Sequence, residues 1–176
     1  MRKNWCDVRL FVYNDCPDLI RLRGLNLRQG VRMVREAKND DLDEILALYL
    51  HLHEKSVSEK SERLKSAWSK ILRDENYHLI VNEVEGEIVS SCVCVVIPNL
   101  TRGARPFALV ENVVTHASYR RKGYATQCLA FARNLAEKAG CYKIMLMTGS
   151  KEQATLDFYA GAGYDGCEKT AFVMRI

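Results

Sequence analysis

The sequence has no apolar run near the roughly 20 residues that a bilayer-spanning helix needs. Its first residues are broken by Asp7, Arg9 and Asp15, so they lack the apolar core of a secretory signal. A cytoplasmic protein without membrane association is the expectation. Seven cysteines are present, but there is no Cys-x-x-Cys and no Cys/His cluster at ligand spacing. That argues against a zinc site, so no metal is expected and the thiols should be reduced and mostly buried. Gly-Lys-Ser/Thr is missing, which excludes a Walker loop, and no turn holds the three glycines of a dinucleotide fingerprint. Internal repeats and low-complexity tracts are absent too. Most of the chain also lacks a charge excess. The net charge is +4, from 26 basic and 22 acidic residues. Residues 1–32 hold seven of the basic and three of the acidic ones, and the remainder holds 19 of each. A neutral body gives no electrostatic footprint for a nucleic acid, so none is expected as a partner.

What is present is enough chain, 176 residues, for one domain with a proper core. Residues 1–32 have weak periodicity, with a short strand conceivable over Val8 to Tyr13, and form an extension of unassigned role. Residues 33–176 form the expected domain. Val31 to Ala37 has the pattern of a first strand. Asn39 to Glu44 places acids in a first helical turn, and Leu42, Ile45, Leu46, Tyr49 and Leu52 follow at helical spacing. His51 and His53, two apart, point to different sides and are expected to be solvated or capping. A second helix is expected over Ser58 to Arg73. Tyr77 to Glu83 and Glu87 to Ile97 form a hairpin across Glu85-Gly86. Residues 98–106 form a loop before a central strand, Phe107 to Thr115. Alternation puts Leu109, Glu111 and Val113 on one face of it and Val110, Asn112 and Val114 on the other. A helix from Tyr124 is expected to bury Cys128, Leu129, Ala132, Leu135, Ala136 and Ala139, with Gly140 ending it. Tyr142 to Thr148 is expected to be a strand, Lys151 to Tyr159 a short helix, and Gly163 to Ile176 the last strand or two.

Between the central strand and the long helix lies Arg120-Arg121-Lys122-Gly123-Tyr124-Ala125. A strand, a glycine turn and a helix start together present backbone N–H groups that the helix cannot satisfy, at the positive end of its dipole. Such a terminus is an anion site, and the three cations add to it. The stretch matches Gln/Arg-x-x-Gly-x-Gly/Ala, with Arg120, Gly123 and Ala125 in register. In this setting it resembles the coenzyme A diphosphate loop of the GNAT superfamily of acetyl-CoA-dependent N-acetyltransferases. Downstream, Asp157-Phe-Tyr-Ala-Gly-Ala-Gly-Tyr164 resembles the family's Phe-Tyr-x-x-x-Gly-Phe/Tyr segment. The resemblance covers roughly residues 33 to 176. It implies an α/β fold with a mixed, mostly antiparallel central sheet and about four helices on both faces. It also implies acetyl-CoA as co-substrate, held by Arg120, Arg121, Lys122, Gly123, Tyr124 and Ala125. The backbone at Val113 and Val114 would meet the pantetheine amides. Thr155 stands where the family often has an Asn that contacts the coenzyme, and a hydroxyl replaces only part of an amide's bonding.

Glu111 is an acid inside an apolar strand. Desolvation would raise its pKa toward a value useful to a general base, and the resemblance often places a proton-accepting glutamate here. The alternative is a structural carboxylate paired with Arg120, a lysine or a tyrosine. Tyr159 is a neutral phenol donor that the resemblance places beside the coenzyme sulfur, as the acid for the leaving thiolate; the alternative is a core tyrosine. The expected reaction is acetyl transfer to a primary amine of a small molecule. Alternatives are acetylation of protein N-termini or lysines and, outside catalysis, a sensor that binds acyl-CoA. The sequence leaves a homodimer open.

Overall fold

The computed structural model describes residues 32–52, 56–57 and 59–176. Val8 to Tyr13, His53 and Ser58 lie outside them. Five strands form one sheet in chain order: β1 (Arg32–Glu36), β2 (Tyr77–Val84), β3 (Glu87–Ile97), β4 (Phe107–Thr115) and β5 (Ile144–Leu146). The first four are antiparallel and β5 runs parallel to β4. Helices α1 (Leu42–Tyr49) and α2 (Glu62–Arg73) cover one face; α3 (Tyr124–Lys138) and α4 (Gln153–Gly161) lie on the other. This is the mixed, mostly antiparallel α/β arrangement expected from the sequence. No helix among the described residues is long and apolar enough to cross a membrane.

Two apolar layers follow from the period-2 alternation of the strands. Ile80, Cys92, Cys94, Ala108 and Val110 meet α3 through Cys128, Leu129, Ala132 and Ala136. Small side chains four apart on α3 let that helix lie close to the sheet. On the opposite face Leu79, Val81, Val93 and Val114 meet Ile45, Leu48 and Trp68. Gly140, with φ +71°, ends α3 as expected, and the Cys141 N–H closes on the Ala136 carbonyl at 2.9 Å.

Arg35 ties β1 into this frame. Its guanidinium forks onto the Asp41 carboxylate and also donates to Glu83 on β2 at 2.8 and 3.0 Å. Hydrogen bonding from Arg35 holds the Asp41 carboxyl below the usual carboxylate range. Asp41 is only 8% exposed, so removal of Arg35 strands a nearly buried charge. Arg35→Met is expected to cost about 3 kcal/mol in a urea titration at pH 7. The loss should shrink as pH falls through the depressed Asp41 pKa, because the native pairing is then lost in the wild type too. A midpoint unchanged at pH 7 would show that solvent screens the network.

Several boundaries differ from expectation. Helix α2 begins at Glu62, where Ser61 caps it by accepting the Leu64 N–H. The strand expected over Tyr142 to Thr148 pairs only at Ile144–Leu146, and α4 sits two residues later than expected. No strand forms over residues 163–176; every residue from 165 to 176 is exposed and unpaired. Apolar patterning alone cannot supply the partner that a strand needs, and no strand among the described residues pairs there.

Candidate active site

The site starts with a fault in the β3/β4 ladder. Ser91 pairs with Val114 and Val93 with Glu111, so Asn112 and Val113 together face Cys92. This is a β-bulge, and Asn112 adopts φ +52°, a left-handed backbone that Asn tolerates better than most residues. The bulge breaks the alternation expected for β4. Val113 packs on the α3 side, whereas Val114 joins Glu111 on the side of α1 and α2. Ser90 fills the gap: its hydroxyl donates to the Val114 carbonyl at 2.8 Å. β5 pairs only with Ala108, Leu109 and Val110. From Glu111 onward the edge of β4 faces no strand among the described residues, which leaves a slot between β4 and the chain beyond β5.

The loop after β4 is braced from within. His116 accepts the Ser118 N–H on Nδ1 at 3.3 Å, and the Tyr119 hydroxyl donates to Glu87 at 2.9 Å. Arg120 donates Nε to the Thr115 carbonyl and Lys122 donates Nζ to the Ser118 carbonyl. Arg121 and Gly123 take φ +60° and +85°. As a result the backbone N–H groups of residues 121 through 126 have no acceptor among the described residues. A Cβ built on Gly123 would meet no protein atom within 4 Å, so the space before these donors is open. Asn82 fixes the start of α3, donating Nδ2 to the Tyr124 carbonyl at 3.2 Å and to Gln127 at 2.8 Å. The Tyr124 ring itself is buried. Sequence reasoning missed Asn82. Its signal was there, a polar residue inside the apolar run of β2, the same signal that marks Glu111.

Glu111 is partly buried, and burial pushes its carboxyl above the ordinary carboxylate range. It makes no ion pair or hydrogen bond among the described residues, so the structural pairing with Arg120, a lysine or a tyrosine does not occur there. Two phenols feel its charge: Tyr77 on β2 and Tyr159 on α4 are both raised first by burial, with Glu111 adding to it. Tyr159 leans on Phe158 at 4.9 Å between ring centroids and meets the edge of Tyr164 at 6.4 Å. Thr155, one helical turn before Tyr159, lies on the same side of α4. His51 is not simply solvated: its ring stands edge-on to His116 at 4.4 Å. Burial, then His116 and Arg120, lower its pKa. Glu111 opens the unpaired stretch of β4 and the donor-rich turn at 120–126 follows its end, while Tyr159 packs in the apolar layer on the α3 side and feels the Glu111 charge.

Known proteins share this fold. Residues 42–164 match the acetyltransferase (GNAT) family. Glucosamine 6-phosphate N-acetyltransferase of Trypanosoma brucei brucei is 32% identical over 84 residues, 48% of this chain and 55% of that protein. The chain spans little more than half the length of the curated relatives it matches. A solved structure from Agrobacterium tumefaciens, assigned to the acetyltransferases, is 33% identical with a TM-score of 0.77 and covers 82% of this chain and 99% of its own. An aminoglycoside N-acetyltransferase in complex with CoA shares the fold at 16% identity, with a TM-score of 0.71 over 86% of this chain and 99% of that one. With the matched region spanning well over half of its residues, the chain belongs to the GNAT family of acetyltransferases.

Proposed function

We propose that this chain is a cytoplasmic N-acetyltransferase that moves an acetyl group from acetyl-CoA to the primary amine of a small molecule. The observation that carries the proposal is the run of six N–H groups at residues 121–126 that find no acceptor among the described residues, just beyond the unpaired edge of β4. A diphosphate is the anion that fills such a cradle, with Arg121 and the remaining donors of Arg120 and Lys122 around it. The open edge of β4 at Val113 and Val114 offers main-chain groups to the amides of pantetheine, as an added strand would take them. Thr155 offers a hydroxyl from α4. Glu111 accepts the proton of the attacking amine, directly or through water. The amine nitrogen bonds to the thioester carbonyl carbon, the carbon–sulfur bond breaks, and Tyr159 gives its proton to the leaving sulfur. Holding the two reactants in line supplies several kcal/mol more. The small-molecule acceptor is supported by the relative that acts, by its name, on glucosamine 6-phosphate.

Acetyl-CoA is expected to stabilise the fold by ~2.7 kcal/mol at 100 times its dissociation constant, read as a rise in melting temperature. Gly123→Val should abolish that rise. At φ +85° valine is strained, by about 1–3 kcal/mol, but a Cβ there meets no protein atom within 4 Å, so the variant folds with a lower melting temperature. A flat melting temperature with wild-type protein and millimolar acetyl-CoA would overturn the reading. Thiol release with a panel of amines then separates an enzyme from a sensor, which would show the thermal shift and no release. Release only with peptides would reassign the acceptor to protein.

A further inference from the structure

Basic side chains in several parts of this fold have acidic partners. Arg35 meets Asp41 and Glu83, Lys60 meets Asp43, Lys65 meets Glu62 and Arg133 meets Glu137. His78 stands 3.4 Å from Glu36. One basic cluster differs. His51, two residues beyond α1, is partly buried and meets the His116 ring edge-on at 4.4 Å between centroids. Arg120 adds a third basic side chain, close enough for His51 to feel its charge. None of the three has an ion pair among the described residues. Acids on the flanking elements are engaged elsewhere. Glu87 on β3 accepts the Tyr119 hydroxyl at 2.9 Å, and Glu85 in the hairpin turn acts on the same phenol. On α1, Glu44 accepts the Ile88 N–H at 3.0 Å and Asp43 holds Lys60. Tyr119, 5.7 Å from the His116 ring, carries the Lys122 ammonium over its own face at 5.1 Å. The cluster also keeps donors in hand. His116 accepts the Ser118 N–H on Nδ1, so in the neutral ring the proton sits on Nε2. Arg120 spends Nε on the Thr115 carbonyl, and its two terminal nitrogens make no bond among the described residues.

With acetyl-CoA as the co-substrate, as proposed above, we infer that His51 and His116 form a second wall of the phosphate site and, with Arg120, bind a coenzyme phosphate from the α1 side. The first wall is the N–H run at 121–126. Arg120 joins the two: it precedes that run in the chain and stands beside His51 in space. Two imidazoles and a guanidinium packed together without an acid repel one another once protonated. A phosphate among them reverses this, because an opposite charge within about 4–6 Å favours the protonated ring. Phosphate binding therefore takes up a proton at His51. The sign of the pH dependence follows. Without ligand, burial, then His116 and Arg120, hold His51 below the ordinary histidine value of 6.5. With phosphate bound it titrates higher. Affinity is then greatest below the unliganded pKa and falls as pH rises through the window up to the liganded one, by about tenfold for each unit that separates them. Coenzyme A carries two groups of this chemistry, a diphosphate and a 3′-phosphate monoester.

The test follows the His51 ring signal by NMR through a pH titration of the full chain. Loss of that signal in His51→Phe, or in His51→Gln, assigns it among the four histidines. The probes are coenzyme A, dephospho-coenzyme A and pantetheine. The His51 midpoint is expected to rise by about one unit with coenzyme A and to stay in place with pantetheine, which has no phosphate. Dephospho-coenzyme A separates the sources. A rise there assigns the diphosphate, and a rise with coenzyme A alone assigns the 3′-phosphate. Following the ring keeps the proton uptake of His51 apart from that of the monoester, which itself titrates near a pH of about 6. His51→Phe keeps a ring against His116, and a cooperative thermal transition confirms that it folds. It should bind coenzyme A roughly tenfold more weakly than the wild type at about pH 6, with the difference shrinking toward about pH 8. Coenzyme A that binds and leaves the His51 midpoint unmoved would overturn the inference and leave the coenzyme reading standing. A midpoint that rises equally with pantetheine would overturn it too, by tracing the rise to closure of the slot rather than to phosphate. Failure of coenzyme A to bind at all would sink both.

Discussion

Glu111→Gln is expected to lower turnover by roughly 10²–10⁴-fold while acetyl-CoA affinity stays near that of the wild type. Glutamine keeps the shape and loses the ability to take a proton. The carboxylate is available for that task because it has no partner among the described residues and because partial burial makes it more basic than a solvated glutamate. The loss should shrink at high pH, where more of the amine arrives already neutral. Wild-type turnover should fall as pH drops through the raised Glu111 pKa, at a higher pH than a solvated carboxylate would give. Turnover unchanged in Glu111→Gln between about pH 6 and 9 would leave the slot as a positioning device for a free amine.

The same substitution makes an opposite prediction for stability. A carboxyl whose folded pKa is raised favours folding only while it is protonated. Relative to a neutral side chain, ionised Glu111 therefore weighs against the fold at pH 7, and that burden vanishes as pH falls below the ordinary carboxylate range. Glu111→Gln should melt above the wild type at pH 7 and level with it near pH 4. A side chain that lowers stability where it raises activity is the expected mark of a functional carboxylate rather than a structural one.

Much of this was legible before the fold was known, and the parts that were not share a cause. The bounds of β4, the start of α3 and the oddity of Glu111 follow from local pattern, because strand period, helix start and a misplaced acid are written in neighbouring residues. The faces of Val113 and Val114 were not, since period-2 alternation assumes an unbroken ladder and the slip at Asn112 is set against Cys92 on the neighbouring strand. The hint was Asn112 itself, a residue that accepts a left-handed backbone in the middle of a strand. Arg120, Arg121 and Lys122 look alike in sequence. In the fold two of them spend a donor bracing their own loop, and Arg121 makes no such bond among the described residues. Residues 163–176 carry a strand pattern, but a strand also needs a partner edge, which is a non-local property, and no described strand pairs with them.

Tyr159→Phe should lower turnover by roughly 10²-fold, and raising the pH should not restore it. The contrast with Glu111→Gln is chemical: a more basic solution supplies neutral amine but no proton for the departing sulfur. Burial, with Cys92 and Glu111 adding to it, raises the Tyr159 phenol above its usual value near 10, so the hydroxyl stays a donor throughout the neutral range. The alkaline limb of the wild-type profile should therefore not report Tyr159 below about pH 10. Phenylalanine keeps the ring contacts with Phe158 and Tyr164, so stability and acetyl-CoA affinity should change little while turnover falls. In the double variant the two losses should not simply multiply if proton removal from the amine and proton delivery to sulfur are coupled across the slot that separates them. Turnover that is unaffected in Tyr159→Phe would assign the proton to water and leave Tyr159 as a packing residue of α4.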